Sequence, residues 1–146
     1  MNRSGLDDSI GFRLGITYRK LSHLFNQRLK SYELTPEQWA VLVRAAETDG
    51  SMQKDIAERA GKDRPTTTRI IDALEAKGFI VKRAGDHDRR SFLVFATEKG
   101  KRTVKEVEPL ESRTMDEAME GISPSDRTLL FELLEQINVN ADKLSQ

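Results

Sequence analysis

Residues 51–69 read Ser51-Met52-Gln53-Lys54-Asp55-Ile56-Ala57-Glu58-Arg59-Ala60-Gly61-Lys62-Asp63-Arg64-Pro65-Thr66-Thr67-Thr68-Arg69. Ser51 is placed to cap a short helix over Met52 to Ala60, with Ile56, Ala57 and Ala60 turned inward, and Gly61 ends it. Asp63 can cap the next helix, Pro65 suits its first turn, and Thr67, Ile70, Ile71 and Leu74 share its inner face until Gly78 stops it. Two short helices joined by the turn Gly61-Lys62-Asp63 are a helix-turn-helix candidate.

Beyond Gly78 the period changes. Phe79 to Ala84 and Ser91 to Thr97 are rich in β-branched and aromatic residues. The charged, turn-forming Gly85-Asp86-His87-Asp88-Arg89-Arg90 between them predicts a hairpin with a basic tip. A basic hairpin directly after such a helix pair makes a winged helix.

Upstream, Leu14, Tyr18, Leu21, Phe25, Leu29 and Tyr32 mark one long amphipathic helix over 9–32, closed by Glu33-Leu34. Thr35-Pro36-Glu37-Gln38 supplies a cap, an N-terminal proline and a capping-box glutamine for a second helix with Trp39, Leu42, Val43 and Ala46 on one face, ended by Asp49-Gly50. Downstream, Thr97-Glu98 opens a helix to about Glu120 in which Pro109 should produce a kink. Ser123-Pro124 then starts a last helix with the stripe Leu129, Leu130, Leu133, Leu134 and Ile137.

Over 146 residues the charges cancel, 24 basic against 24 acidic, but they are sorted along the chain. Residues 9–32 carry five bases and no acid, and 62–90 carry eight bases and five acids; 33–61 and 98–146 are net acidic. A protein that grips nucleic acid needs local positive potential rather than a basic total. Arg64 to Arg69 offer groups that hydrogen-bond phosphates and base edges, and the helix N-terminus adds a positive dipole end. In the hairpin, acids beside arginines suggest that Asp88 or Asp86 orients a guanidinium while Arg90 or Arg89 enters a minor groove.

Other classes find little support. No charge-free run exceeds seven residues, so no transmembrane helix is expected, and with no apolar signal core behind Met1 the expected location is the cytoplasm. The absence of cysteine excludes disulfides, thiolate metal sites and cysteine redox sensing; the two histidines are 64 positions apart, so neither metal nor cofactor is expected. No Gly-rich phosphate loop, Gly-x-Ser-x-Gly or His-Glu-x-x-His motif is present, so no catalytic residue is assigned.

Several segments resemble the MarR family of bacterial winged-helix regulators. They are Leu34-Thr35-Pro36-Glu37-Gln38-Trp39 through Leu42, Asp55-Ile56-Ala57-Glu58-Arg59, Leu74-Glu75-Ala76-Lys77-Gly78-Phe79-Ile80, and Asp86-His87-Asp88-Arg89-Arg90 followed by Thr97-Glu98-Lys99-Gly100. The resemblance covers roughly 10–146 and is densest over 34–100. Two departures stand out: Ala96-Thr97 where the family often has Leu-Thr, and Met52-Gln53-Lys54 ahead of the turn.

The resemblance implies a mainly α fold with a small β-hairpin wing: one MarR-like domain over 1–146, with dimerisation helices 9–32 and 98–146 flanking a DNA-binding lobe 34–97. It implies a homodimeric regulator, more often a repressor, on a pseudo-palindromic operator in double-stranded DNA. Arg64, Pro65, Thr66, Thr67, Thr68 and Arg69 would read DNA, with Arg83, Arg89 and Arg90 in the wing and Asp88 as orienter; Ser51, Gln53, Lys54 and Lys62 would complete the contact set. The family usually switches on a small aromatic or anionic effector, for which Tyr18, Ser22, His23, Trp39 and Arg44 are candidates. The competing reading is a winged-helix module that binds protein without DNA, which would not need the basic first turn or Arg89 and Arg90.

Overall fold

A computed structural model describes residues 5–85 and 92–146. Six helices and three short strands follow in the order α1 (Ile10–Leu29), α2 (Pro36–Glu47), β1 (Ser51–Met52), α3 (Gln53–Ala60), α4 (Arg64–Ala76), β2 (Ile80–Ala84), β3 (Phe92–Ala96), α5 (Glu98–Ala118) and α6 (Pro124–Leu144). The chain divides into two compact units, Met1–Ser112 and Arg113–Gln146. The boundary falls inside α5.

In the first unit, Leu29, Val41, Leu42, Ile56, Ile71, Leu74, Phe79, Ile80, Val94 and Val107 are sealed from solvent. Val41 and Ala45 join Trp39 and Leu42 on the inner face of α2, whereas Val43 and Ala46 are only half-buried, so the face is turned from the one expected. The α2 start has the predicted capping box: Gln38 N donates to Thr35 Oγ1, and Thr35 N to Gln38 Oε1, each at 3.2 Å. Lys77, at the end of α4, donates to that same Gln38 Oε1 at 3.0 Å and to the Glu33 carbonyl at 2.6 Å. α4 is thereby tied to the α1–α2 junction.

The sheet is antiparallel in the order β1-β3-β2. β1 was not expected from the sequence. Ser51 pairs with Val94, and its hydroxyl donates to the Thr48 carbonyl at 2.9 Å, so it does not cap α3. Met52 holds the cap position and its side chain makes no capping bond.

The Thr97-Glu98-Lys99-Gly100 motif closes the lobe. Thr97 Oγ1 accepts from Gly100 N at 3.1 Å and donates to the Gly78 carbonyl at 2.7 Å; Thr97 N donates to the Phe79 carbonyl at 3.0 Å. Lys99 Nζ lies 2.8 Å from the Lys77 carbonyl and 4.6 Å from the centre of the Phe79 ring. Gly100 is needed because a Cβ there would overlap the Phe79 carbonyl oxygen. Pro109 does not divide α5, which runs from Glu98 to Ala118.

In the second unit, α6 begins at the predicted cap, with Asp126 N donating to Ser123 Oγ at 3.2 Å. None of its residues is buried in this chain: Leu129, Leu130, Phe131, Leu133 and Ile137 are all exposed. Ile10, Phe12, Leu14 and Tyr18 of α1 are exposed as well. Among the described residues, no helix is long and apolar enough to cross a membrane.

Candidate nucleic-acid interface

The turn between α3 and α4 forms as its residues dictate. Gly61 takes a left-handed φ of 69°, and Lys62 N returns to the Ala57 carbonyl at 2.9 Å, ending α3. Asp63 caps α4 by accepting from Thr66 N at 2.8 Å and from Thr66 Oγ1 at 2.9 Å. These two bonds hold its carboxyl below the usual aspartate range. The positive end of α4 is thus already occupied by a carboxylate, with the exposed Arg64 and Arg69 beside it. At α3, by contrast, no side chain caps the first turn, which carries Gln53 and Lys54.

The three consecutive threonines, 100° apart on the helix, separate into three roles. Thr66 completes the Asp63 cap. Thr67 is only 1% exposed and donates to the Asp63 carbonyl at 2.8 Å. It serves the core, on the inner face where the sequence pattern places it. Thr68 is exposed, 3.0 Å from the Arg64 carbonyl and 3.3 Å from Gln53 Oε1, linking α4 to α3. Ser51 is likewise buried, with its hydroxyl bonded to the Thr48 carbonyl.

What remains outward is Arg64, Pro65, Thr68 and Arg69 on α4, with Lys54 on α3 and the half-buried Gln53 and Lys62 beside them. A cleft of about 350 Å³ joins Gln53, Lys54 and Thr68 to Asp72, Lys82 and Phe92, so the helix pair and the wing strands share one face. Arg83, exposed on β2, stacks its guanidinium carbon 5.2 Å from the centre of the Phe95 ring. Asp88, Arg89 and Arg90 lie outside the described residues.

The expected effector residues do not all meet. Tyr18, Ser22 and His23 line one cleft of about 380 Å³ with Arg19 and Asn26 of α1 and Thr35 to Glu37 at the start of α2. Trp39 points into the core, edge-on to Phe25 at 6.3 Å. Arg44 clasps α2 to α3: its Nε donates to the Arg59 carbonyl at 2.9 Å, and it shares Glu47 with Arg59. Neither lines that cleft. Arg19, which does, was not among the residues expected there. Among the described residues, no three His, Asp or Glu side chains gather to hold a metal ion.

The MarR family model matches residues 34–92. The uncharacterized HTH-type transcriptional regulator YybA of Bacillus subtilis (strain 168) is 29% identical over 130 residues, covering 89% of this chain and 87% of its own. The transcriptional regulator SlyA superposes with a TM-score of 0.85 at 30% identity, over 92% of this chain and 95% of that one. The transcriptional repressor CouR, solved bound to a 23-mer DNA duplex, gives 0.83 at 28% identity, over 94% and 98%. CouR from Rhodococcus jostii RHA1 bound to p-coumaroyl-CoA gives 0.79 at 26%, over 92% and 95%. With a helix pair, a three-stranded wing and flanking helices in matching order, the chain belongs to the MarR family of winged-helix transcriptional regulators.

Proposed function

We propose that this chain is a sequence-specific DNA-binding repressor that works as a homodimer and responds to a small ligand. One observation carries the reading: the exposed face formed by α3, α4 and the wing strands collects Gln53, Lys54, Arg64, Thr68 and Arg69, while the helix between them is anchored from behind by Thr67, Ile71 and Leu74. The DNA complex of CouR, a structure of the same fold, supports it. α4 enters the major groove; Arg83 and the wing-tip residues Asp88, Arg89 and Arg90, assigned from sequence alone, address the adjacent minor groove. Gln53, Lys54 and Lys62 hold phosphates.

Residues 1–146 act as a single MarR-like domain within a dimer, with 34–97 as the DNA-binding lobe. The exposed apolar residues of α1 and α6 support dimerisation through 9–32 and 98–146, since such surface exceeds what a solvated helix ordinarily presents. Two-fold symmetry sets half-sites roughly 34–36 Å apart. The Tyr18–Ser22–His23 cleft, which Arg19 also lines, takes an aromatic or anionic effector; the CouR complex with p-coumaroyl-CoA supports that chemistry. Neither cofactor nor catalytic group is part of the proposal.

Fluorescence anisotropy against a pool of genomic duplex fragments, at several salt concentrations, tests it. Tight binding to a few fragments with a steep negative salt slope is expected. A folded dimer that binds no fragment at any salt, and carries no ligand by mass spectrometry, would overturn it in favour of a protein-binding module.

A further inference from the structure

Lys82 was absent from every expected contact set, yet it occupies the junction between the reading helix and the wing. Side chains alternate across a strand. Lys82 therefore faces the side of the sheet shared with its register partner Val94, which is buried, while Arg83 faces the other side and stacks on Phe95. On the helix side, Lys82 Nζ lies 2.7 Å from Asp72 Oδ1 and 3.5 Å from Glu75 Oε1. Those carboxylates are three residues apart on α4, so they occupy one face of the helix. The ammonium is also 5.7 Å from the centre of the Phe92 ring on β3. The Lys82 side chain is 21% exposed, less than either acid. Its hydrogen bond to Asp72 raises its pKa, outweighing the opposing effect of burial.

We propose that Lys82 is a positioning residue for DNA binding: by clasping Asp72 and Glu75 it sets the reach of the wing relative to α4, and it does not itself hold a phosphate. The inference rests on the DNA-binding reading above. α4 and β2 are covalently joined only through Lys77, Gly78 and Phe79. Beyond that turn the angle between helix and hairpin depends on side chains. Once α4 is seated in one groove, that angle decides whether the wing arginines meet the next. The clasp also neutralises carboxylate charge that would otherwise face the phosphate backbone. Among the described residues, Lys82 is the group with both a helix-side ion pair and a wing-side ring contact.

The test compares wild type, Lys82→Met, Lys82→Arg, Asp72→Asn and the Met/Asn double variant on the duplex fragment that wild type binds best. Lys82→Met keeps the stem over Phe92 and should weaken binding roughly three- to tenfold, the range for coupling through one partly buried pair. The slope of log affinity against log salt should not change. Lys82→Arg should recover most of the loss. Asp72→Asn should also weaken binding, although it removes a negative charge near DNA, and the double variant should be no worse than the poorer single variant. If Lys82 instead contacts phosphate, Lys82→Met lowers the salt slope by about one, and Asp72→Asn strengthens binding by freeing the ammonium. Either result overturns the proposal.

Hydrogen exchange on the free protein gives a readout without DNA. Backbone amides of 80–84 and 92–96 should exchange faster in Lys82→Met and Asp72→Asn than in wild type or Lys82→Arg. Wild type that binds DNA, with variants that bind and exchange like it, refutes the clasp alone. Wild type that binds no duplex refutes the DNA-binding reading and Lys82's role in it.

Discussion

Replacing Gly100 by alanine tests how the lobe is closed onto α5. The added methyl would overlap the Phe79 carbonyl oxygen, with the carbonyl carbon 3.2 Å away and Leu42 Cδ1 at 3.4 Å. The obstacle is backbone and cannot rotate aside, so Phe79 or the first turn of α5 must shift. Overpacking of this kind costs about 1–3 kcal/mol. The same carbonyl accepts from Thr97 N at 3.0 Å, and losing that bond adds about 1 kcal/mol. Alanine's helix preference returns about 1 kcal/mol at most. The net is a loss of roughly 1–3 kcal/mol, or about 3–10 °C in Tm for a chain of this length.

Gly78→Ala is the internal control. Its φ of +80° penalises any side chain, but only the flexible Lys99 Cδ, at 4.0 Å, meets the new methyl. It should cost about 1–2 kcal/mol from backbone conformation alone. Thermal unfolding followed by circular dichroism, at one protomer concentration because dimerisation shifts Tm, gives both values. Gly100→Ala melting within 2 °C of wild type would refute the argument that steric closure at Phe79 dictates this glycine.

Three further outcomes follow from the geometry. Asp63's carboxyl titrates below its ordinary value when folded, so its cap stabilises the protein above the unfolded pKa and is lost as pH falls through the lower folded one; the Tm difference between wild type and Asp63→Ala, measured at pH 7, should shrink below about pH 4. Thr67→Val keeps the shape of a buried residue and loses one hydroxyl bond, so it should lower stability by about 1 kcal/mol in a denaturant melt and leave sequence preference unchanged, whereas Thr68→Val should alter preference with little effect on stability. Leu133, 52% exposed on α6, should be covered in the dimer; Leu133→Glu should weaken self-association by roughly 2 kcal/mol or more, seen by light scattering as a shift toward monomer, and an unchanged mass would remove α6 from the interface.

Much of this architecture is written in short-range patterns. The caps at Thr35, Asp63 and Ser123 and the stops at Gly61 and Gly78 are each decided by groups within about four residues of one another. One chain segment carries both the donor and the acceptor, so the residues announce the element. What tertiary structure alone decided involves partners far apart in the chain. Ser51 forms a strand and not a cap because β3, more than forty residues later, supplies its pairing partner. Arg44 lies away from the Tyr18–His23 cleft because the end of α3 offers it a carbonyl. Lys82 becomes a clasp because the turn at 77–79 folds β2 back against Asp72 and Glu75. Gly100 must stay bare because α5 starts against the backbone of Phe79. Periodicity shows which face of an element is apolar; it does not show which other element lies against that face, and these side chains took their roles from that neighbour.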